Sequence, residues 1–299
     1  MTVISRLFVT LLGLLPQHGI SRVIHALARW RWAPWKRLLI GSFTRLYPVD
    51  LTEASASDPA DYPSFNAFFT RALREDARPL ATAPDRIISP VDGAISEFGS
   101  LSGDRLLQAK GVDYSLQALL AGDATLAEPF IDGSFATLYL SPSDYHRVHL
   151  PTASTLHRML HVPGRLYGVS KPVVQHLPGL FARNERVICE FSSAAGRYML
   201  IFVGAIGVGS IETVWEGEIT PPRGQRIRSW DYRHRPIEFA AGDEIGRFNL
   251  GSTVILLFEK NQVIWDAALS VDAPVRLGMS IGRLGQSGTL PAEGHDVAD

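Results

Sequence analysis

Gly251, Ser252 and Thr253 stand at the mouth of VILLF (254–258), an apolar run of the kind that forms a strand packed on both faces. Ser252 is therefore a candidate reactive group held on a rigid element. The plain alternative is a strand entry built from turn-friendly residues. A serine hydroxyl needs a base whose pKa lies near neutrality. LSPSDYHRVHLP at 140–151 offers His146 and His149, and a spacing of three predicts that both imidazoles share one face of a helical turn. His157 and His161 follow, so a zinc site has to be weighed. No cysteine lies nearby and there is no HExxH arrangement, which leaves the metal reading weak and ordinary hydrogen-bonded histidines as its competitor. A carboxylate would complete the set by orienting the imidazole. Asp92 in SPVDG is a candidate, although a D-G pair also makes a simple turn, and spacing does not separate it from Asp144, Asp104 or Asp113.

The elements that must position these groups are legible in outline. The chain has 299 residues, 46% of them hydrophobic and 20% charged, enough for a sizeable core in one large domain or two modest ones. Its single cysteine, Cys189, excludes an internal disulfide and any CxxC site. Net charge is −1, but residues 1–49 hold seven Lys and Arg and no acid, so they carry +7 against −8 for the rest. Trp30, Trp32 and Trp35 lie among those cations, behind LFVTLLGLL (7–15), which is too short to span a bilayer. It also lacks the small-residue cleavage site of a secretory signal. Three amphipathic helices broken near Pro16 and Pro34 are expected here. Clustered tryptophans beside cations favour an anionic membrane interface over a nucleic-acid patch or a helical pair packed on the protein's own body.

Residues 47–63 turn small, acidic and proline-rich, as a linker would. SFNAFFTRAL (64–73) reads as a short helix capped by Ser64. From about residue 86 short strands punctuated by Gly and Pro dominate, with a few helices such as YSLQALLAG. The expected fold class is α+β: basic amphipathic helices over 1–48, a β-rich sandwich- or barrel-like catalytic domain over 49–285, and a polar disordered tail over 286–299.

Five separated blocks, SPVDG, DYHRVH, FARNERVICEF, VGSIETVWEGEITPPR and GRFNLGSTV, together resemble bacterial phosphatidylserine decarboxylases, in order and with compatible spacing from about 60 to 283. The resemblance implies a proenzyme that cuts itself between Gly251 and Ser252 into a large chain 1–251 and a small chain 252–299. In that scheme Ser252 attacks the Gly251 carbonyl, His149 takes its proton and Asp92 holds the ring. The resulting ester eliminates, and Ser252 becomes a pyruvoyl cofactor. Phosphatidylserine would then form a Schiff base with the pyruvoyl group, lose carbon dioxide, and leave as phosphatidylethanolamine, with His146 as candidate acid at Cα. The resemblance further implies a peripheral protein on the cytoplasmic face of an anionic cell membrane, working as pairs of processed protomers. Arg147, Arg165 and Lys171 are conceivable phosphate contacts. Two rival readings stay open from the residues alone. One is a serine hydrolase using Ser252, His149 and Asp92, although the GxSxG elbow is missing. The other is a non-enzymatic membrane-binding β-sandwich module.

Overall fold

The computed structural model describes residues 16–81, 83–110, 112–207, 210–221, 225–249 and 252–285. The apolar run 7–15, Gly251 and the tail 286–299 lie outside the described residues. Two helices, Gln17–Arg29 and Ala33–Leu46, open the described chain, the second started by Pro34 in its first turn. The break falls at 30–32, and Pro34 starts a helix instead of ending one. Phe65–Phe69 forms the expected short helix, with the Ser64 hydroxyl accepting from the Ala67 N–H at 3.2 Å. Its rings pack edge-on around Phe43 of the second helix. Ala28, Ile40 and Tyr62 complete this small core, so residues 47–63 are tied down through Tyr62.

The rest is a β-rich body. A nine-stranded antiparallel sheet runs from Arg228–Asp231 through Ser154–Val162, Arg186–Ser193, Gly196–Gly204, Ser252–Phe258, Ser134–Leu140 and Gly93–Ser100 to Pro274–Val275, with Ile237–Phe239 pairing a second stretch of Ser154–Val162. The strand order is open at both ends, so the barrel alternative of the sequence reading does not apply. Pro274, which has no N–H to offer a further strand, sits on one edge. A four-stranded sheet, Gly217–Glu218, Ile211–Thr213, Glu244–Phe248 and Arg147–His149, packs on the large one through Phe248 against Phe202, 5.4 Å between ring centres. The whole is α+β.

Ser252–Phe258 is central, bonded to Ser134–Leu140 on one side and Gly196–Gly204 on the other, with every residue buried. Burial of its five apolar side chains contributes on the order of 10 kcal/mol at about 2 kcal/mol each. The strand would stay docked even if the backbone were severed at its start.

Candidate active site

Ser252 is the first residue of the central strand, facing Leu140 and Gly204 across its two neighbours. Directly opposite residues in antiparallel strands share a face. The Ser252 side chain therefore points to the side on which Gly204 has no side chain. A Cβ at Gly204 would come within 3.2 Å of the Glu185 carbonyl oxygen and 3.4 Å of Leu166 Cδ2. Glycine here lets Glu185 and Leu166 pack closely on the strand opposite the serine. Ser252 is fully buried, and its Oγ has no hydrogen-bond partner among the described residues. A buried hydroxyl left unpaired costs stability, which makes it a feature to explain.

The other candidates gather at the same end of the sheet. Ala94, Tyr139 and Thr253 form one cross-strand row. Asp92, two residues before Ala94, thus lies two strand spacings, about 10 Å, to the side of Ser252. His149 closes the strand Arg147–His149, and its backbone N–H donates to the Pro90 carbonyl at 2.8 Å, beside the Asp92 turn. His146 lies just before that strand, and its carbonyl accepts from the Phe248 N–H at 3.0 Å. From Phe248 only residues 249–251 lead to Ser252.

Proximity does not amount to the expected hydrogen-bonded chain. Asp92 accepts from Arg78 Nε at 3.0 Å and from the Leu277 N–H at 2.8 Å. Arg78 in turn reaches Glu53 at 2.7 Å. His149 is held instead by the Gly242 carbonyl, 2.8 Å from Nδ1, and the Tyr145 hydroxyl, 2.9 Å from Nε2. A carbonyl only accepts, so Nδ1 carries the proton, and the neutral ring accepts at Nε2. Burial pushes the His149 pKa below the ordinary histidine value, opposed by the Gly242 bond. Orientation of the ring, assigned to Asp92 by resemblance, falls to Gly242 and Tyr145 in this geometry. Nothing in the spacing of Arg78 marks it as a partner for Asp92. Tyr145 was visible inside DYHRVH but unremarkable, as its value lies in a fold-dependent contact.

The helical-turn expectation for His146 and His149 is overturned. Arg147–His149 is extended because it pairs with Glu244–Phe248, and Val148 fills the core between the two histidines. His146 is buried with its ring 4.1 Å from that of Phe69, and its Nδ1–H donates to the Asp144 carbonyl at 2.8 Å. Burial drives its pKa down to about 3, so it rests neutral, with Nε2 lacking a partner among the described residues. His157 bonds Ser192, and His161 bonds Glu185. No group of three metal-binding side chains occurs among the described residues. Of the conceivable phosphate contacts, Arg147 is paired with Glu244 and Lys171 with Asp272.

Comparison with known proteins shows the family of the chain. The family model for phosphatidylserine decarboxylase matches residues 65–283, and a second, described as PSD, matches residues 7–48. Phosphatidylserine decarboxylase proenzyme of Methylococcus capsulatus is 50% identical over 277 residues, covering 93% of this chain and 96% of the relative. The proenzyme of Nitrosococcus oceani is 50% identical over 91% of this chain and 89% of its own length. That of Azotobacter vinelandii is 49% identical over 93% and 98%. With a family model spanning most of its length and full-length relatives at half identity, the chain belongs to the phosphatidylserine decarboxylase family of carboxy-lyases.

Proposed function

We propose that this protein decarboxylates phosphatidylserine to phosphatidylethanolamine at a membrane surface, for phospholipid synthesis, using a pyruvoyl group made from its own Ser252. The observation that carries this reading is the buried, unpartnered Ser252 Oγ at the start of the central strand, opposite a glycine. A hydroxyl tied into the sheet's hydrogen bonds would not be free to attack its own backbone. The residues also fit the group that would replace it, since Ser252 faces a glycine across the strand pair and its Oγ is tied to no partner among the described residues.

In the maturation step, Ser252 Oγ attacks the preceding carbonyl, and the amide becomes an ester. Neutral His149 accepts the hydroxyl proton at Nε2, directly or through the Tyr145 hydroxyl that faces it. The Asp92–Arg78–Glu53 cluster holds the neighbouring turn in place. Elimination then breaks the ester and releases the carboxylate of residue 251. Loss of ammonia on hydrolysis leaves a ketone at position 252. The pyruvoyl group supplies an electron sink for the carbanion left as carbon dioxide departs. His146 is assigned the transfer of a proton to Cα; its Nδ1–H is held by the Asp144 carbonyl, so the bare Nε2 must first take up the proton that the substrate ammonium gives up.

Membrane contact is supported by an inverted helix. Gln17–Arg29 turns its polar side inward: Gln17 accepts from the Leu166 N–H, His18 donates to Gly164, and His25 and Arg29 pair with Glu218. Val23, Leu27 and Trp30 face outward and are exposed. Trp30 stacks on exposed Trp32 at 5.4 Å, among Arg22, Arg31 and Arg37. No described helix is long and apolar enough to cross a membrane.

A denaturing gel of the purified protein tests the reading. Two chains, 1–251 and 252–299, are expected, the small one blocked to Edman degradation and carrying the mass of an N-terminal ketone. A single uncut chain with active decarboxylation would overturn it.

A further inference from the structure

Only two residues separate Ser252 from Asn249, and both ends of that span are fixed. Ser252 is locked in register with Leu140 and Gly204. Asn249 is buried, and its N–H donates to the Ser210 carbonyl at 2.9 Å, while the preceding Phe248 N–H goes to the His146 carbonyl. The Asn249 side chain is held as well. Its Oδ1 accepts from Asn66 Nδ2 at 2.9 Å, and its Nδ2 donates to the buried Ser210 hydroxyl. Ser210 in turn bonds the side chain of Glu218. Burial works against the charged form of Glu218, but the bonds from Ser210 and His25 and the charge of Arg29 hold its carboxyl below the ordinary glutamate pKa. A carboxylate only accepts, so the sense of every bond in the chain follows from Glu218. The Ser210 O–H donates to the carboxylate, the Ser210 oxygen is left to accept from Asn249 Nδ2, and Asn249 Oδ1 is left to accept from Asn66. These groups come from the helix Phe65–Phe69, the residue before Ile211–Thr213, and the strand Gly217–Glu218.

We propose that Asn249 is a positioning residue for self-cleavage: the one-way chain Asn66–Asn249–Ser210–Glu218 fixes the backbone on the acyl side of the scissile bond and so sets how the residue 251 carbonyl meets the Ser252 hydroxyl. The inference rests on the pyruvoyl reading for the reaction it serves. In that reaction the nucleophile sits on a strand that cannot slide, so alignment has to come from the other side of the bond. A misplacement of about 1 Å between reacting groups can cost about a hundredfold in rate. Asparagine suits the post because one short side chain both accepts and donates, which joins the donor Asn66 to the acceptor Ser210. The chain ends on a carboxylate that also anchors the Gln17–Arg29 helix, through His25 at 2.8 Å and Arg29 at 2.9 Å. Helix and cleavage segment thus share one anchor.

The test is the rate at which newly translated full-length chain converts from one gel band to two. Asn66→Asp keeps the size of the side chain but sets an acceptor against Asn249 Oδ1, and it should slow cleavage about tenfold. Asn249→Leu, which removes both side-chain bonds, should do the same. Glu218→Gln alone should cleave at close to the wild-type rate, because its amide oxygen still accepts from Ser210. Combined with Asn66→Asp it lets the whole chain reverse: the new amide donates to Ser210, Ser210 to Asn249 Oδ1, and Asn249 Nδ2 to the carboxylate at position 66. The double variant should therefore recover to within about threefold of wild type. Tyr198→Phe removes one buried hydrogen bond, to the Ser154 hydroxyl at 3.0 Å, at the opposite end of the central strands, and should leave the rate unchanged. Wild-type rates in Asn66→Asp and Asn249→Leu, no recovery in the double variant, or equal slowing by Tyr198→Phe would overturn the positioning role while wild-type chain still cleaves. Wild-type chain that never cleaves would overturn the pyruvoyl reading and the positioning role together.

Discussion

His149 shows how burial and two hydrogen bonds decide what a side chain can do. Its Nδ1–H is committed to Gly242, its Nε2 faces Tyr145, and burial disfavours the charged ring. A base whose pKa is lowered keeps its accepting form to lower pH than a free imidazole. Self-cleavage of newly translated chain should therefore hold its rate as pH falls to about 6.5, the free histidine value, and decline only in more acid solution. Tyr145→Phe leaves Nε2 without its partner in a buried site. It should slow cleavage about tenfold and move the acid limb of the profile, both read from the conversion of one gel band to two. An unchanged profile would remove Tyr145 from the proton path. The Asp92 carboxylate, by contrast, is engaged by Arg78 and the Leu277 N–H, so its effect on His149 is exerted across space and through the turn that holds Pro90.

At the level of elements, the strand pair that carries Ser252 and Gly204 is the decisive unit. Seven residues of Ser252–Phe258 are locked in register on both sides, so the serine cannot slide away from its neighbours. Gly204→Ala would insert a methyl group 3.2 Å from a backbone oxygen that belongs to the bonded sheet and cannot easily retreat. We expect it to cost about 1–3 kcal/mol of stability, as overpacking does, and to slow self-cleavage by crowding the serine. Melting temperature and gel conversion measure the two effects independently. Normal cleavage in a destabilised variant would show that the space beside Ser252 serves packing alone. The helix Phe65–Phe69 plays a quieter part: its Phe69 ring covers His146 and thereby sets that histidine's neutral state.

Across the whole molecule, a buried β-rich body is joined to a helical segment whose apolar residues face away from it. Gln17–Arg29 is attached by polar contacts and leaves Val23, Leu27 and Trp30 outside, the reverse of a helix packed on its own core. Such a face is stable where it meets an acyl boundary, with Arg22, Arg31 and Arg37 near anionic headgroups. Trp30→Ala combined with Trp32→Ala should weaken binding to anionic vesicles about tenfold or more in a co-sedimentation assay. Undiminished vesicle binding would overturn the proposed membrane contact of this helix.

Local features of this protein were legible in its residues because they rest on short-range physics. Ser64 caps the next helix through its own hydroxyl, and 254–258 is buried because nothing in it can satisfy water. The basic N-terminal segment is amphipathic by spacing alone, and its clustered tryptophans are the residues that favour an interface. What spacing could not reveal is which groups meet. Arg78 finds Asp92, Tyr145 finds His149, and Arg22 arrives beside Arg165 and Arg183 only when separate strands, loops and a helix converge. A spacing of three favours a helical turn for His146 and His149, whereas pairing with Glu244–Phe248 draws that segment into a strand. Local periodicity reports the preference of one segment, but hydrogen bonds to a distant strand outweigh it. Side-chain partners therefore belong to the tertiary structure.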